Sequence, residues 1–551
     1  MFCRNVGLGL LFVLVCSAAD LPPTPRVGVG ITEKRLTLAQ AIEMALSNNL
    51  DIEVERSNTA LAVTAVKGAF GSFDPTFRFE PGYQNANTPV GSALQGAGGR
   101  LAEDLLTQNF YYRQQLPWNG ASVGVDFTNG RTATSNLFAT LNPYINSQLI
   151  VSFTQPLFRN RLIDQNRATV KIRRKQVDIS QKDFEIRVID IITQVQQSYW
   201  DLVAARQNVE VQADAVELAA KQLAQNRRMV DSGTLAPVEI AASVSELESR
   251  RDSYYASIGT LTEAENVVKT LLLPDRHADM WNDQILPTDT RTVDIEEPED
   301  LRQAVADALK HRPEMAQIGL QKDSNKIQQQ FNSDQVKPQI NFVTSYASTG
   351  LGGALNLANN PLSSSFQPLY DRLNQLSAQA GLPPVTVSSL SSVPSSLIGG
   401  VGNALSSVFA GDYRTVQVGL AVDFTGRNRT AQANYSSALI TAKQLSYQQA
   451  RIEQLIEAQM RNAMQEIQTA RQRISAAEAA ERAAKEKLDS ETRLFETGES
   501  TNFLVLTRQN EYLTARQRAV VAHLDFNKSV ARLEQAQGVT LTSHNITLQA
   551  P

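Results

Sequence analysis

Two stretches of 71 residues, 161 to 231 and 427 to 497, contain neither glycine nor proline. Each ends at a short glycine turn, Asp231-Ser232-Gly233-Thr234-Leu235-Ala236-Pro237 in one case and Glu496-Thr497-Gly498-Glu499-Ser500-Thr501-Asn502 in the other. A segment free of both helix breakers reads as one unbroken helix, roughly 105 Å long at about 1.5 Å rise per residue. No globular core needs a helix of that length. The chain is therefore expected to contain two rods whose purpose is reach.

The rods belong to a design that occurs twice. An offset of 265 superposes the two turn glycines and also matches Glu246 to Glu511 and Arg251 to Arg516. Nearer the start of each copy the offset is 263, matching Leu38 to Leu301, Ala41 to Ala304, Ala45 to Ala308, Pro75 to Pro338 and Tyr83 to Tyr346. One gap pattern joins these matches in order, which reads as internal duplication.

The first copy spans 20–272, with strands about 74–157, long helix 161–231, tip turn 231–237 and return helix 238–272. The second spans 299–540, with strands about 339–424, long helix 427–497, tip turn 496–502 and return helix 503–537. Residues 273–298 read as a polar equatorial linker and 541–551 as a C-terminal tail. The first return arm and the helical stretch opening the second copy, 303–337, are together as long as one rod, so they are expected to stack end to end beside it.

Each rod has a sided pattern. Val188, Val195, Leu202, Val209, Val216, Leu223 and Val230 recur every seven residues, as in a coiled-coil seam. Met460, Ile467, Ile474, Leu488 and Phe495 keep the same column in the second copy, interrupted by Glu481. Positions three later, Ser198, Ala205, Gln212, Ala219 and Asn226, are small or polar. The stripe is narrow, and much of each rod is expected to face water.

Formal net charge is -4, with basic and acidic residues interspersed along the helices, which is no nucleic-acid footprint. The start, Met1-Phe2-Cys3-Arg4 followed by an apolar run from Val6 to Val15 and Cys16-Ser17-Ala18-Ala19, reads as a signal peptide over 1–19, with the mature chain beginning near Asp20. Cys16 invites a lipidation reading, against which Val15 is bulky where a lipobox wants a small residue. Both cysteines fall in this leader, so the exported chain has no disulfide.

Beyond the leader no apolar run is long enough for a transmembrane helix, so any membrane contact has to come from strands. Val416, Val418, Leu420, Val422 and Phe424 alternate with Gln417, Gly419, Ala421 and Asp423. Leu149, Val151 and Phe153, and Ala121, Val123, Val125 and Phe127, alternate likewise. This pattern fits a lipid-facing wall around a wet lumen, and equally an ordinary half-buried sheet. The export signal favours the barrel. The long stretch 347–411 has Asp371 and Arg372 as its only charges and suits an exposed connection. An extra hairpin is expected around Trp118-Asn119-Gly120, within the insertion 86–145.

The segment Leu36-Thr37-Leu38-Ala39-Gln40-Ala41-Ile42-Glu43-Met44-Ala45-Leu46-Ser47-Asn48-Asn49 resembles the opening helix of TolC-like outer membrane efflux proteins. Ala308-Leu309-Lys310-His311-Arg312-Pro313-Glu314-Met315 resembles its second-copy counterpart, and Phe153-Thr154-Gln155-Pro156-Leu157-Phe158 the strand-to-helix junction. The resemblance implies a mixed α and β membrane protein: a homotrimer whose chains each give four strands to a twelve-stranded β-barrel continuing into a periplasmic α-helical coiled-coil barrel. It implies a passive exit duct of a tripartite efflux or type I secretion system, in the outer membrane of a Gram-negative-type bacterium, with a periplasmic adaptor and an inner membrane pump as partners. The remaining alternative is a periplasmic coiled-coil scaffold that never enters the membrane.

By the same resemblance, Gly233, Thr234, Leu235, Ala236, Gly498, Glu499, Ser500 and Thr501 are the adaptor-docking tips, and Glu239, Leu504 and Thr507 line the periplasmic aperture. Some members carry carboxylates where this chain has Leu504 and Thr507, so a ring of Leu504 implies closure by apolar contact and dewetting. Phe495 and Ser500 stand where a polar latch is found in such proteins. His277, His311, His523 and His544 lack any accompanying nucleophile or phosphate-binding motif. No enzymatic activity, cofactor, metal or nucleic acid is expected.

Overall fold

The computed structural model describes residues 26–30, 32–92, 96–289, 300–356, 361–385 and 393–548. The expected leader with Cys16, part of the linker and the last residues of the tail lie outside the described residues.

The elements run β1 (Glu33–Leu36), α1 (Leu38–Asn48), α2 (Leu50–Phe70), β2 (Thr76–Pro89), β3 (Arg100–Gln115), β4 (Ser122–Thr134), β5 (Leu141–Pro156), α3 (Gln165–Asp231) and α4 (Val238–Leu272). They continue as β6 (Gln284–Pro287), α5 (Leu301–His311), α6 (Pro313–Gln335), β7 (Gln339–Leu355), α7 (Pro361–Gln379), α8 (Val401–Ala410), β8 (Tyr413–Asp423), α9 (Arg429–Glu496), α10 (Asn502–Gln537) and α11 (Thr540–Ser543). Two compact units result. One takes the described residues up to Ala62 with Val177–Gln321 and those from Gln444 onward, and the other takes Val63–Gln176 with Lys322–Lys443.

Both rods form as single helices, of 67 and 68 residues. The first starts at Gln165 rather than 161, because Asn160 turns the chain with φ +66 and Asp164 caps the helix through Arg167 N–H at 2.8 Å. The seam is buried: Val188, Val195, Leu202, Val216 and Leu223 on α3, and Met460, Ile467, Leu488 and Phe495 on α9.

The expectation of a narrow stripe fails for α3. Its polar positions Thr193, Gln196, Gln212, Gln222 and Asn226 are buried too. Side-chain hydrogen bonds offset part of that burial: Gln196 donates to Glu534 at 3.1 Å, though its amide oxygen finds no partner among the described residues, and Asn226 donates to Asn502 at 2.8 Å. Further cross-links tie α3 to α10, where Arg516 pairs with Asp214 at 2.6 Å, Lys528 with Asp201, and Gln535 with Asp190 at 2.9 Å.

The stacking of short arms also differs from expectation. Each opening segment is two helices, broken at Asn49 and at Arg312, the latter preceding Pro313 as proline geometry requires. α4 ends against the opening helices of its own copy, where Asn48 and Asn49 donate to the terminal carbonyls of Leu272 and Leu271 at 3.1 and 3.0 Å. α10 ends likewise at Gly538, where a Cβ would stand 3.2 Å from both His311 and Arg312. The stack therefore forms within each copy rather than across the two.

Nor is 273–298 simply a polar linker. Leu273, Met280 and Ile285 are buried, and β6 pairs parallel with β1. Leu36, Ile42 and Ile52 join Val188, Ile192, Tyr199, Leu261, Leu272 and Ile285 in one core. Beside it the fully buried Lys269 pairs with Glu265 at 2.9 Å and donates to the Trp281 carbonyl at 2.8 Å. Glu265 also accepts the Ile285 N–H at 3.1 Å and meets Arg26 at 2.5 Å.

The second unit holds one antiparallel sheet of six strands in the order β2-β3-β4-β5-β7-β8. This corrects the expected four strands per chain. The Trp118-Asn119-Gly120 hairpin is built into the sheet between β2 and β5, with Asn119 and Gly120 at φ +55 and +69, the left-handed pair that a tight hairpin requires. The stretch 347–411 also departs from a bare loop: it continues β7 to Leu355 and carries α7 and α8.

Candidate functional site

The strand register decides what each face of the sheet presents, since directly opposed residues share a face. Phe77, Tyr112, Val125, Val151, Tyr346 and Val416 form one row across all six strands. The adjacent row, on the other face, reads Thr76, Arg113, Gly124, Ser152, Ser345 and Gln417. The first face continues with Phe79, Phe110, Phe127 and Leu149, and along β8 with Val418, Leu420 and Val422. Many of these apolar side chains are exposed, Val418 at 63%. The second face carries the ion pairs Arg78–Glu80 and Arg113–Asp126, the latter with an N–O contact of 2.8 Å.

The edge strands β2 and β8 are each paired on one side only among the described residues. The antiparallel order also brings the chain ends that meet α2, α3, α6 and α9 to one end of the strands, while the connections 89–100, 134–141 and 355–413 leave from the other. No described helix is long and apolar enough to cross a membrane.

The two glycine turns are built alike. Gly233 and Gly498 have φ +77 and +80. In the first, the Gly233 and Thr234 N–H groups donate to Val230 and Met229 carbonyls, both at 2.9 Å. In the second, Gly498 and Glu499 N–H groups donate to Phe495 and Leu494 at 3.1 and 2.8 Å. These are paired closures of a helix C-terminus, and only glycine takes the left-handed step freely. Thr234, Ala236, Glu499 and Thr501 are exposed, and Leu235 and Ser500 half-buried. Thr501 caps α10 through Leu504 N–H, and Ser500 donates to the Glu491 carboxylate.

Of the expected aperture residues, Leu504 is exposed at 37% beside the more exposed Phe503. Thr507 donates its hydroxyl to the Phe503 carbonyl at 2.8 Å. Glu239 is half-buried and accepts from the Asn502 amide at 2.9 Å. It thereby belongs to a buried network that joins α3, α4 and α10. Gln222 donates to Asn502 at 3.1 Å and Asn226 at 3.0 Å, and Asn226 donates to Ser243 at 2.7 Å. Sequence reasoning missed Gln222, Ser243 and Asn502. The visible signal was the spacing of Gln222 and Asn226, four apart on a face that is otherwise apolar or small. Phe495 is buried at the end of the α9 seam.

Residues 121–272 match the family described as outer membrane efflux protein. No curated protein matches the sequence. The outer membrane channel CmeC of Campylobacter jejuni shares the fold at 14% identity and a TM-score of 0.61, over 91% of this chain and 86% of that one. VceC, an outer membrane protein of Vibrio cholerae, does so at 13% identity and 0.59, over 91% and 96%. The open state of the MtrE outer membrane channel of Neisseria gonorrhoeae does so at 15% and 0.55, over 92% and 89%. The resemblance to TolC-like outer membrane efflux proteins is thus carried by the family match between 121 and 272 and by the fold across most of the chain.

Proposed function

We propose that this chain, built on the fold of outer membrane efflux channels, is a passive exit duct that assembles from three copies and carries substrates outward from an inner membrane pump and a periplasmic adaptor. The observation that carries the reading is the row Phe77, Tyr112, Val125, Val151, Tyr346 and Val416, apolar from edge to edge, opposite a polar row. A sheet apolar on its exposed face and polar on the other suits lipid outside and water inside. Its open edges demand closure, because an unpaired backbone group in lipid costs several kcal/mol. Six strands per chain make a threefold wall of eighteen, wider than the twelve that the resemblance implied.

In this reading the Gly233 to Ala236 and Gly498 to Thr501 turns dock the adaptor, and Leu504 with Phe503 closes the aperture by apolar contact. Glu239 is held by Asn502, so a purely acidic ring does not describe this gate. The test is fractionation of cells expressing the full chain. A heat-modifiable trimer in the outer membrane supports the duct, and a soluble periplasmic monomer refutes it.

A further inference from the structure

The connection between β7 and β8 carries a helix whose position the duct reading leaves unexplained. α8 packs on β7 and β5 at the level of Ser348, Gly350 and Gly352. Ser348 donates its hydroxyl to the Val408 carbonyl at 2.7 Å. A Cβ on Gly350 would stand 1.9 Å from the Ala404 carbonyl oxygen, and one on Gly352 would stand 2.8 Å from that of Gly400. The two glycines therefore leave the space in which the helix backbone lies against the strand.

Alternation along β7 fixes the face. Ser348, Gly350 and Gly352 point the same way as Ile340, Phe342 and Tyr346, and Ser348 stands opposite Leu149 of the apolar face. The helix lies on the apolar side of the wall, continuing the apolar surface, and not on the polar side. Val401 to Ala410 contains no charged residue. Ala404, Ser407 and Val408 are buried against the sheet, while Phe409 remains 76% exposed and Val401 45%.

We infer that α8 is an outer-leaflet collar, clamped on the lipid side of the strand wall by Ser348, Gly350 and Gly352, with Phe409 and Val401 presented to acyl chains. The inference rests on the duct reading. Water gives an uncharged helix with an outward phenylalanine no gain on that side, whereas the boundary of a bilayer does. A second copy of the chain is the weaker occupant. α8 sits over β5 and β7, and the β8 edge at which a neighbour would pair lies beyond them.

The test uses three single-cysteine variants of the full chain, Phe409→Cys, Val418→Cys and Gln417→Cys, in a background without Cys3 and Cys16. Each carries an environment-sensitive fluorophore and is reconstituted into phosphatidylcholine vesicles containing a lipid with a nitroxide high on its acyl chain. At least twofold quenching at 409 and 418, with little at 417, is expected. Adding Gly350→Val should release α8 and lower the quenching at 409 at least twofold while leaving 418 unchanged. Quenching at 418 with none at 409 overturns the collar and leaves the duct standing. No quenching at 418 overturns both. Quenching at 409 that Gly350→Val does not alter overturns the clamp.

Discussion

The two long helices are within one residue of each other in length, yet their surroundings are opposite. α3 is covered on several sides: Val188, Ile192, Val195, Tyr199 and Leu202 lie in the main core, and even Gln196 and Asn226 are buried. α9 buries one column, Ile456, Met460, Ala463, Ile467 and Ala470 followed by Leu488 and Phe495, and leaves Leu439, Ile440 and Leu455 exposed. α3 is completed by its own chain. α9 has apolar surface left over, and in the duct reading a neighbouring copy covers it. In that reading two rods with the same breaker-free signature have different work, one as the spine of the chain and the other as its contact face.

The largest effect that tests this contrast comes from the spine. The Tyr199 ring is fully buried, and its hydroxyl lies 2.9 Å from both the Leu36 carbonyl and the Asp289 carboxylate. Tyr199→Ala is expected to cost about 3–5 kcal/mol in a denaturant titration. A loss of less than half that means that α3 is not the centre of the core. Next, Asn226→Ala removes the centre of the buried network between Gln222, Ser243 and Asn502, at about 1–3 kcal/mol. Proteolysis near the glycine turns should increase before global unfolding does.

On the contact face the expected sign is different. Ile440→Ser on α9 should change protomer stability by no more than about 0.5 kcal/mol while lowering the fraction of trimer in light scattering. An unchanged trimer fraction means that this part of α9 is not at the interface. The smallest effect concerns Asp183 on α3. Burial, with Glu55 adding to it, raises its carboxyl above the ordinary value. A raised folded value means that the group's contribution to stability is full below the unfolded pKa, about 3.9, and is lost as pH rises through the folded value. Asp183→Asn should therefore be slightly more stable than the parent at pH 7. That advantage should shrink as the solution is acidified toward pH 4, and a constant or growing advantage contradicts the assignment.

The sequence made some parts of this molecule legible and hid others for physical reasons. The rods, both turn glycines, the 118–120 hairpin and the alternation along β8 follow from local rules of breaker, turn and period. The parallel pairing of Glu33–Leu36 with Gln284–Pro287 joins segments far apart in the chain, and neither carries a periodic signal of its own. The six-strand count was missed because β3, with Asn109, Gln114 and Gln115 among its residues, alternates less clearly than β8. The burial of α3 was underestimated because Gln196, Gln222 and Asn226 look like solvent-facing residues until their partners on α10 are seen. The same holds for Glu239, whose attachment to Asn502 no local pattern shows.

The trimeric duct is tested most directly by electron cryo-microscopy of the protein extracted from outer membranes into lipid nanodiscs. A threefold particle is expected, with an eighteen-stranded wall in the lipid annulus, the Val416–Val422 face against lipid and α9 at the contact between copies. A monomer, or an assembly whose sheet lies outside the lipid, would contradict it.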